Sequence, residues 1–184
     1  MAIRTILLEG DPRLRQKATR VRSIDASLRG LAADMVETML AAPGVGLAGP
    51  QVGIGRRLIV VHVPAGYVED DDPEQNYTLL NPEIVRASGR EVATEGCLSI
   101  PGWIGDVPRF TSITVKGMDL DARPVRIKAR DILARILQHE IDHLDGILYV
   151  DRVEDESTLL RVDATEAVEV VDEAELEAEL AGRP

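Results

Sequence analysis

The segment QHEIDHLDG, residues 138–146, carries two histidines four positions apart and a glutamate directly after the first histidine. It ends a longer stretch in which apolar residues occupy most of a helical circumference. These positions are Ile132, Leu133, Ile136, Leu137, Ile141 and Leu144. A helix that is apolar nearly all round is buried, and Asp131 and Gly146 are residue types that cap and end helices. The sequence therefore predicts a buried helix between these two residues.

The two histidines of this segment are placed to bind one metal ion. At about 100° per residue, His143 lies roughly 40° round the helix from His139 and one turn along it. Glu140 lies beside them, close enough to take a proton from a water at that ion. The alternative is two surface histidines on an ordinary helix, but charged groups in a buried helix cost several kcal/mol unless they are paired.

The third ligand decides the chemistry, and the sequence offers four positions to consider. The extended zinc-protease pattern would place a histidine at position 149, where the chain has Tyr149. Glu166 lies in a remote acidic stretch, and His62 is typical of a strand residue. Cys97 stands in the turn-like EGCLSIPG. A lone cysteine is often a small buried hydrophobe, but one cysteine and two histidines would leave a fourth position open for water, as in catalytic sites.

A glycine-rich stretch, GVGLAGPQVG at 44–53, follows the first long helix. It is not a phosphate loop, because no Lys-Ser/Thr follows it. It is either a flexible connector or a place where glycines let a substrate backbone approach and form strand-like hydrogen bonds. In the second case, Gln51 would offer a side-chain N–H to a developing oxyanion.

Periodicity elsewhere in the chain predicts one more helix and several strands. Residues 24–42 form an amphipathic helix whose apolar stripe is Ile24, Leu28, Leu31, Met35 and Met39. Residues 56–63 are typical of a buried strand. The remaining predictions are a solvated loop at 67–76, strands at 77–88 and 90–96 paired around Ser88-Gly89, and a hairpin of 111–119 with 123–130 that turns at Asp121-Ala122.

Composition narrows the class of protein. The 184 residues suit one domain, and no apolar run is long enough for a membrane span. A lone cysteine excludes an internal disulfide, so we expect a cytoplasmic protein. Of the net charge of −11, −9 falls in residues 153–184, which leaves −2 for the first 152 residues. This balance predicts no direct nucleic-acid site, since such sites favour basic surfaces.

Three motifs now stand in order: GVGLAGPQ, EGCLS and QHEIDHLDG. Together they resemble the peptide deformylase family of the bacterial type. The resemblance runs from about residue 3 to residue 152 and includes DPRLRQKA, NPEIVRASG, SIPGW, VPR and GILYVDR. It implies an α+β fold in which antiparallel β-sheets pack around a central α-helix that bears the HExxH motif. Residues 1–152 would be the single catalytic domain, and 153–184 an acidic tail that is partly helical or disordered.

The resemblance also implies an activity. Members of this family remove the N-formyl group from the initiator methionine of nascent chains and release formate. Cys97, His139 and His143 would then bind one divalent metal ion, usually Fe2+ in the family, although Zn2+, Ni2+ or Co2+ could substitute. Glu140 would be the general base and acid. The other implied roles belong to Gln51 and the Leu98 N–H at the oxyanion, to Val45, Gly46 and Gly96 at the substrate main chain, and to Ile136 in the methionine pocket.

The chain departs from the family pattern at a few places. Gly49 replaces an alanine, which predicts a looser loop around Gln51, and Ala122 and Asp131 replace glycines. Family members often end in a basic helix thought to help docking on the ribosome. The acidic end of this chain argues against that mode of a transient ribosome association. Arg109 and Glu95 could form an ion pair beside the site or a purely structural salt bridge.

Two other functions are compatible with parts of the pattern. A zinc endopeptidase would use His139, His143 and a downstream acid such as Glu166. The second is a metal-binding or ribosome-associated protein that has the same fold but no catalytic activity. The chain argues against it, because it retains the metal ligands, the glutamate and Gln51.

Overall fold

The computed structural model describes residues 2–67 and 73–162. These residues form two α-helices, α1 (Ala26–Ala41) and α2 (Asp131–Leu144), and two β-sheets. The larger sheet has the order β1-β2-β3-β6-β7, and the smaller has the order β4-β5-β8. The strands are β1 (Gly46–Ala48), β2 (Leu58–Val63), β3 (Gln75–Ser88), β4 (Glu91–Cys97), β5 (Ile100–Arg109), β6 (Ser112–Met118), β7 (Pro124–Arg130) and β8 (Leu160–Arg161).

Every pair of neighbouring strands is antiparallel, which confirms the predicted α+β class. Helix α2 packs on the inner face of the larger sheet. Its apolar residues share one core with the inward residues of β2, β6 and β7: Leu133, Ile136, Leu137 and Ile141 meet Ile59, Val61, Ile113, Val115 and Ile127. Each such side chain contributes roughly 1.5–3 kcal/mol when it is fully buried. The core therefore fixes α2 firmly against the sheet.

The prediction that residues 77–88 and 90–96 pair with each other was wrong. Strand β3 pairs with β2 on one edge and β6 on the other, so it has no edge left for β4. Strand β4 pairs with β5 in the second sheet. Gly89 makes the change of direction with φ of +72°, and a Cβ there would lie 2.0 Å from the Thr111 hydroxyl oxygen.

The sequence predicted the end of α2 at Gly146 correctly but was wrong about the residue that caps its start. Asp131 does not cap the helix with its side chain, because the N-cap position is Arg130 and no side-chain hydrogen bond is made there. Instead Asp131 has φ of +48° and donates its N–H to the carbonyl of Thr111. Gly146 follows the helix with φ of +76°, as predicted, and a Cβ there would lie 2.5 Å from the Arg15 carbonyl.

The remaining local predictions are largely confirmed. Helix α1 buries the predicted stripe from Leu28 onward, and Asp25 caps it by accepting the Leu28 N–H. Strands β6 and β7 form the predicted hairpin, in which Ala122 has φ of +61°.

Beyond residue 152 the chain continues as part of the folded body. Val153 and Leu159 pack against a third apolar cluster, and β8 pairs with Trp103 and Ile104 of β5. The part of the predicted tail from residue 163 onward, which includes Glu166, lies outside the described residues, as do 68–72 of the predicted loop. None of the helices described is long and apolar enough to cross a bilayer.

Candidate metal centre and active site

The structure brings Cys97, His139 and His143 together. Cys97 ends β4 at a register shift in its pairing with β5, and both histidines project from α2. One ligand atom from each residue lies within 4.8 Å of the other two. The Cys97 Sγ is 3.3 Å from His143 Nε2, and the two imidazole rings meet edge to face with centroids 5.0 Å apart.

The hydrogen bonds around these groups fit a bound cation. His139 Nδ1 donates to the Glu95 carboxylate at 3.0 Å, which leaves Nε2 as the free ligand atom. His143 Nδ1 is buried and has no partner among the described residues, so nothing fixes a second proton on this ring. A thiolate with two imidazoles is a donor set that binds iron, zinc, cobalt and nickel ions. The residues present therefore fit a divalent transition metal.

The two histidines differ in their affinity for protons. Burial alone would lower the pKa of His139, but hydrogen bonds to Cys97 and Glu95 raise it well above the usual value. Burial lowers the pKa of His143 well below the usual value, and the charge of His139 lowers it further. The two rings together therefore favour one positive charge over two. A metal ion bound between the thiol and both rings would supply a positive charge at the same place.

Glu140 is a buried carboxyl beside this cluster. Burial raises its pKa to about 7, and its Oε2 has no hydrogen-bond partner among the described residues. Its Oε1 lies against Gly46, where an added Cβ would come within 2.3 Å. Only a glycine in β1 therefore allows this position of the carboxyl. A carboxyl that titrates near neutrality can both accept and donate a proton.

Gln51 and Leu98 present N–H groups on the side of Cys97. The Gln51 Oε1 accepts the Ala48 N–H at 2.8 Å, which turns its Nε2 toward Ser99 Oγ at 3.2 Å and Cys97 Sγ at 3.6 Å. The Leu98 N–H makes no hydrogen bond within the part of the chain that the structure describes. The Gln51 amide and the Leu98 N–H therefore both lie next to Cys97.

The residues predicted to contact substrate lie along two sheet edges. Gly46 is in β1, the edge strand of the larger sheet, and Val45 precedes it. Gly96 is exposed in β4, the edge strand of the smaller sheet. Ile136 on α2 is buried, and Val45 packs against the core cluster to which it belongs. Within residues 2–67 and 73–162, β1 and β4 each have one edge without a partner strand, and such edges can accept an extended peptide.

Glu95 stands at the centre of a buried ionic network that the sequence revealed only in part. Burial alone would raise its pKa, but hydrogen bonds from His139 and Arg109 lower it to about 2. Arg109 binds both carboxylate oxygens at 2.9 and 3.0 Å, as the sequence suggested, and Arg135 binds Oε1 at 2.8 Å. Asp142 also binds Arg109. The sequence pointed to Arg135 in one way only: it is the single arginine or lysine of the apolar helix α2.

Other considered residues do not join the ligand set. Tyr149 stands where the protease pattern has a third histidine, and its ring stacks on His139 with centroids 6.3 Å apart. Its hydroxyl donates to the Trp103 carbonyl at 3.0 Å. His62 lies in β2 with its Nδ1 2.7 Å from Asn76 Oδ1.

The expectation of a loose loop at Gly49 was wrong. A Cβ at this position would lie 2.7 Å from the Arg56 carbonyl and 2.8 Å from the Ile54 carbonyl. The absence of a side chain therefore lets the short helical turn that carries Gln51 pack tightly on the following segment.

Comparison with known proteins agrees with this geometry. A family model described as polypeptide deformylase matches residues 3–158. The peptide deformylase of Thermomicrobium roseum is 64% identical over 159 residues, covering 86% of this chain and 90% of the relative. That of Dehalococcoides mccartyi is 48% identical, with 86% and 91% covered.

Solved structures give the same result. A peptide deformylase from Synechococcus elongatus in complex with actinonin matches with a TM-score of 0.76 and 44% identity, covering 83% of this chain and 80% of that one. A Met-Ala-Ser-bound peptide deformylase from Acinetobacter baumannii matches with a TM-score of 0.78 and 36% identity, covering 83% and 99%.

Proposed function

The chain belongs to the peptide deformylase family, and we propose that Cys97, His139, Glu140 and His143 form the centre of its activity. It is a metal-dependent hydrolase that removes the N-formyl group from the N-terminal formylmethionine of nascent polypeptides and releases formate. The observation that carries the assignment of the centre is the convergence of one thiol and two imidazoles within 4.8 Å beside a buried carboxyl.

Cys97, His139 and His143 would hold one divalent cation. When bound, this cation supplies Lewis acidity, which makes hydroxide available near neutral pH and polarises the formyl oxygen. We propose Fe2+ as the native ion because the resemblance to the family implies it, while the same donors accept Zn2+, Ni2+ or Co2+. The thiolate makes the site sensitive to oxidation. Protein for the assay is therefore best prepared without oxygen.

Glu140 moves the protons. Its carboxylate takes a proton from the attacking water and, as a carboxylic acid, gives it to the nitrogen that leaves with the methionine. A pKa near 7 suits both steps, because neither form of the carboxyl is scarce at neutral pH. The contact with Gly46 holds this carboxyl in place.

Gln51 Nε2 and the Leu98 N–H stabilise the negative charge that grows on the formyl oxygen. Ala48 and Ser99 hold the Gln51 amide in place before substrate arrives. One donor of this kind is typically worth roughly 3–4 kcal/mol of transition-state energy.

The substrate main chain lies between the edges of β1 and β4. Val45, Gly46 and Gly96 would hydrogen-bond it as an added strand, and Ile136 would wall the pocket for the methionine side chain. The relative from Acinetobacter baumannii binds Met-Ala-Ser, the peptide left after deformylation of formyl-Met-Ala-Ser. That complex supports a peptide of this kind as the product bound by this chain.

Formate release from formyl-Met-Ala-Ser tests the function directly. The anaerobically purified, ferrous-loaded protein is expected to turn the peptide over, and the unformylated peptide is expected to remain intact. Absence of formate from fully loaded protein would overturn the proposal.

The Glu140→Ala variant tests the role of the carboxyl. It is expected to keep one metal ion per chain and to lose a factor of about 10² to 10⁴ in kcat, because proton transfer is lost while the ligands remain. Glu83→Ala is the matched control, since Glu83 is exposed on β3. Retained activity in Glu140→Ala would show that the base is another group.

A further inference from the structure

The outer face of β3, β6 and β7 carries an excess of cations. Cross-strand pairs place Lys116 opposite Arg126, Thr114 opposite Lys128, and Ser112 opposite Arg130. Paired positions share one face of a sheet, and the pairing of β3 with β6 adds Arg86 opposite Thr114. The cations of this surface, here called the basic face, are Arg86, Lys116, Arg126, Lys128 and Arg130.

These cations are available to a ligand. All of them are exposed, and none forms an ion pair or a side-chain hydrogen bond with any residue in 2–67 or 73–162. Glu83 is the acid on the same strands, opposite Lys116, and Asp131 borders the face. Some exposed arginines elsewhere do form ion pairs, as Arg29 does with Asp121 and Arg90 with Glu154. The basic face thus keeps a net positive charge in a chain of net charge −11.

A concavity of about 510 Å³ lies within the basic face. Its polar lining consists of Arg86, Ser88, Ser112, Thr114, Lys128 and Arg130. Cationic and hydroxyl side chains together are the groups that contact phosphate oxygens in nucleic-acid complexes. The lining contains no aromatic ring on which a base could stack. The surface is therefore suited to a phosphate backbone and not to reading bases.

The spacing of the cations favours a polyanion over a small anion. Arg126, Lys128 and Arg130 occupy alternate positions of β7, so they repeat about every 7 Å and span roughly 13 Å. Arg86 and Lys116 extend the charge across two more strands. A single phosphate would engage one or two of these groups, whereas a nucleic-acid strand presents phosphates in a row.

We propose that the basic face binds the phosphate backbone of structured RNA. We further propose that this RNA is ribosomal. This part rests on the proposed function, because its substrates, nascent polypeptides, are made on the ribosome. The net charge of the chain does not indicate such a site, because the rest of the chain is acidic. The cations of the basic face also alternate with buried residues on separate strands, so they form no basic run in the sequence.

Binding at this face would leave the active site open. The inner side chains of the same strands, among them Ile113, Val115 and Ile127, pack in one core with Leu133 and Ile136 of α2. The basic face and the metal centre therefore lie on opposite sides of the sheet. A docked enzyme could still receive a peptide between β1 and β4.

The test uses full-length, metal-loaded protein and a fluorescently labelled RNA hairpin, with purified 70S ribosomes in a second arm. Arg86→Gln/Lys128→Gln/Arg130→Gln is expected to weaken RNA binding by about tenfold or more and to reduce the salt slope by about three. Arg86→Lys/Arg130→Lys is expected to retain most of the affinity, because the charge is kept. Formate release from formyl-Met-Ala-Ser is expected to be unchanged in both variants, which separates this proposal from the proposed function.

The control is Arg20→Gln/Arg22→Gln/Arg56→Gln, which removes three exposed cations outside the basic face. It is expected to bind RNA like the parent protein. Equal loss in both triple variants would overturn the proposal in favour of general electrostatic attraction. Competition by poly-glutamate but not by RNA would also overturn it, in favour of an acidic protein partner. Binding to the hairpin without binding to ribosomes would sustain the RNA site and reject the ribosome as its source.

Discussion

At the scale of single residues, the site depends on a carboxylate that touches neither substrate nor metal. Glu95 accepts the His139 Nδ1 proton while Arg109 and Arg135 hold it from two other sides. This arrangement fixes the tautomer and the orientation of the imidazole, as carboxylates behind metal ligands commonly do. We infer that Glu95 is a positioning residue for His139.

The Glu95→Gln variant tests that role. Loss of the buried negative charge is expected to weaken metal affinity about 10- to 100-fold and to destabilise the fold by roughly 3–5 kcal/mol, because Arg109 and Arg135 lose the buried carboxylate that they share. Competition with a chelator measures the first effect and urea unfolding the second. Glu83→Gln, an exposed change on β3 outside this network, is the control. Unaltered metal affinity in Glu95→Gln would leave Glu95 a structural role only.

A second residue-scale prediction concerns Gly46→Ala. The new methyl group would overlap the Glu140 carboxyl, which must move away, and a displacement of about 1 Å typically costs around 10²-fold in rate. Metal content is expected to remain normal. Gly55→Ala is the control, since no atom lies within 4 Å of the added Cβ. A fully active Gly46→Ala enzyme would contradict the placement of the carboxyl.

The sequence predicted which residues could bind a metal ion better than it predicted the ion pairs around them. The spacing of His139 and His143 on a buried helix was sufficient to predict a shared metal ion. The involvement of Asp142 and Arg135 was not predictable in the same way, because their partners Arg109 and Glu95 lie on the separate strands β5 and β4. Contacts of this kind depend on how the second sheet meets α2, which no local pattern encodes.

At the scale of elements, periodicity located the helices and the β6–β7 hairpin, but the predicted pairing of β3 with β4 was wrong. Sequence neighbours usually pair when a tight turn joins them, and Ser88-Gly89 provides such a turn. Here both edges of β3 are taken by β2 and β6, so β4 turns away into the other sheet. This separation leaves β1 and β4 as edge strands of two different sheets.

The β6–β7 turn gives a stability prediction at this scale. Ala122 has φ of +61°, a left-handed conformation that costs an L-residue roughly 1–2 kcal/mol, while glycine loses about 0.4–1 kcal/mol through the freedom of its unfolded chain. Ala122→Gly is therefore expected to raise the free energy of unfolding by about 0.5–1 kcal/mol. Ala87→Gly, in strand β3, is expected to lower it. A destabilised Ala122→Gly protein would contradict the conformation of this turn.

At the scale of the whole molecule, the metal centre is a junction between two layers. Cys97 belongs to the smaller sheet, whereas His139 and His143 belong to the helix that packs on the larger one. A cation bound by all three would link these layers directly, and the three protein donors would leave a coordination position for substrate and water. The proposed centre would make the activity depend on a single ion shared by elements distant in sequence.

X-ray absorption at the metal edge of the iron- or cobalt-loaded protein is the most direct test of this claim. The spectrum is expected to require one sulfur and two imidazole nitrogen ligands together with light oxygen or nitrogen donors, and the sulfur contribution is expected to disappear in Cys97→Ser. A spectrum of the parent protein without a sulfur ligand, or with four protein ligands that close the site, would contradict the account.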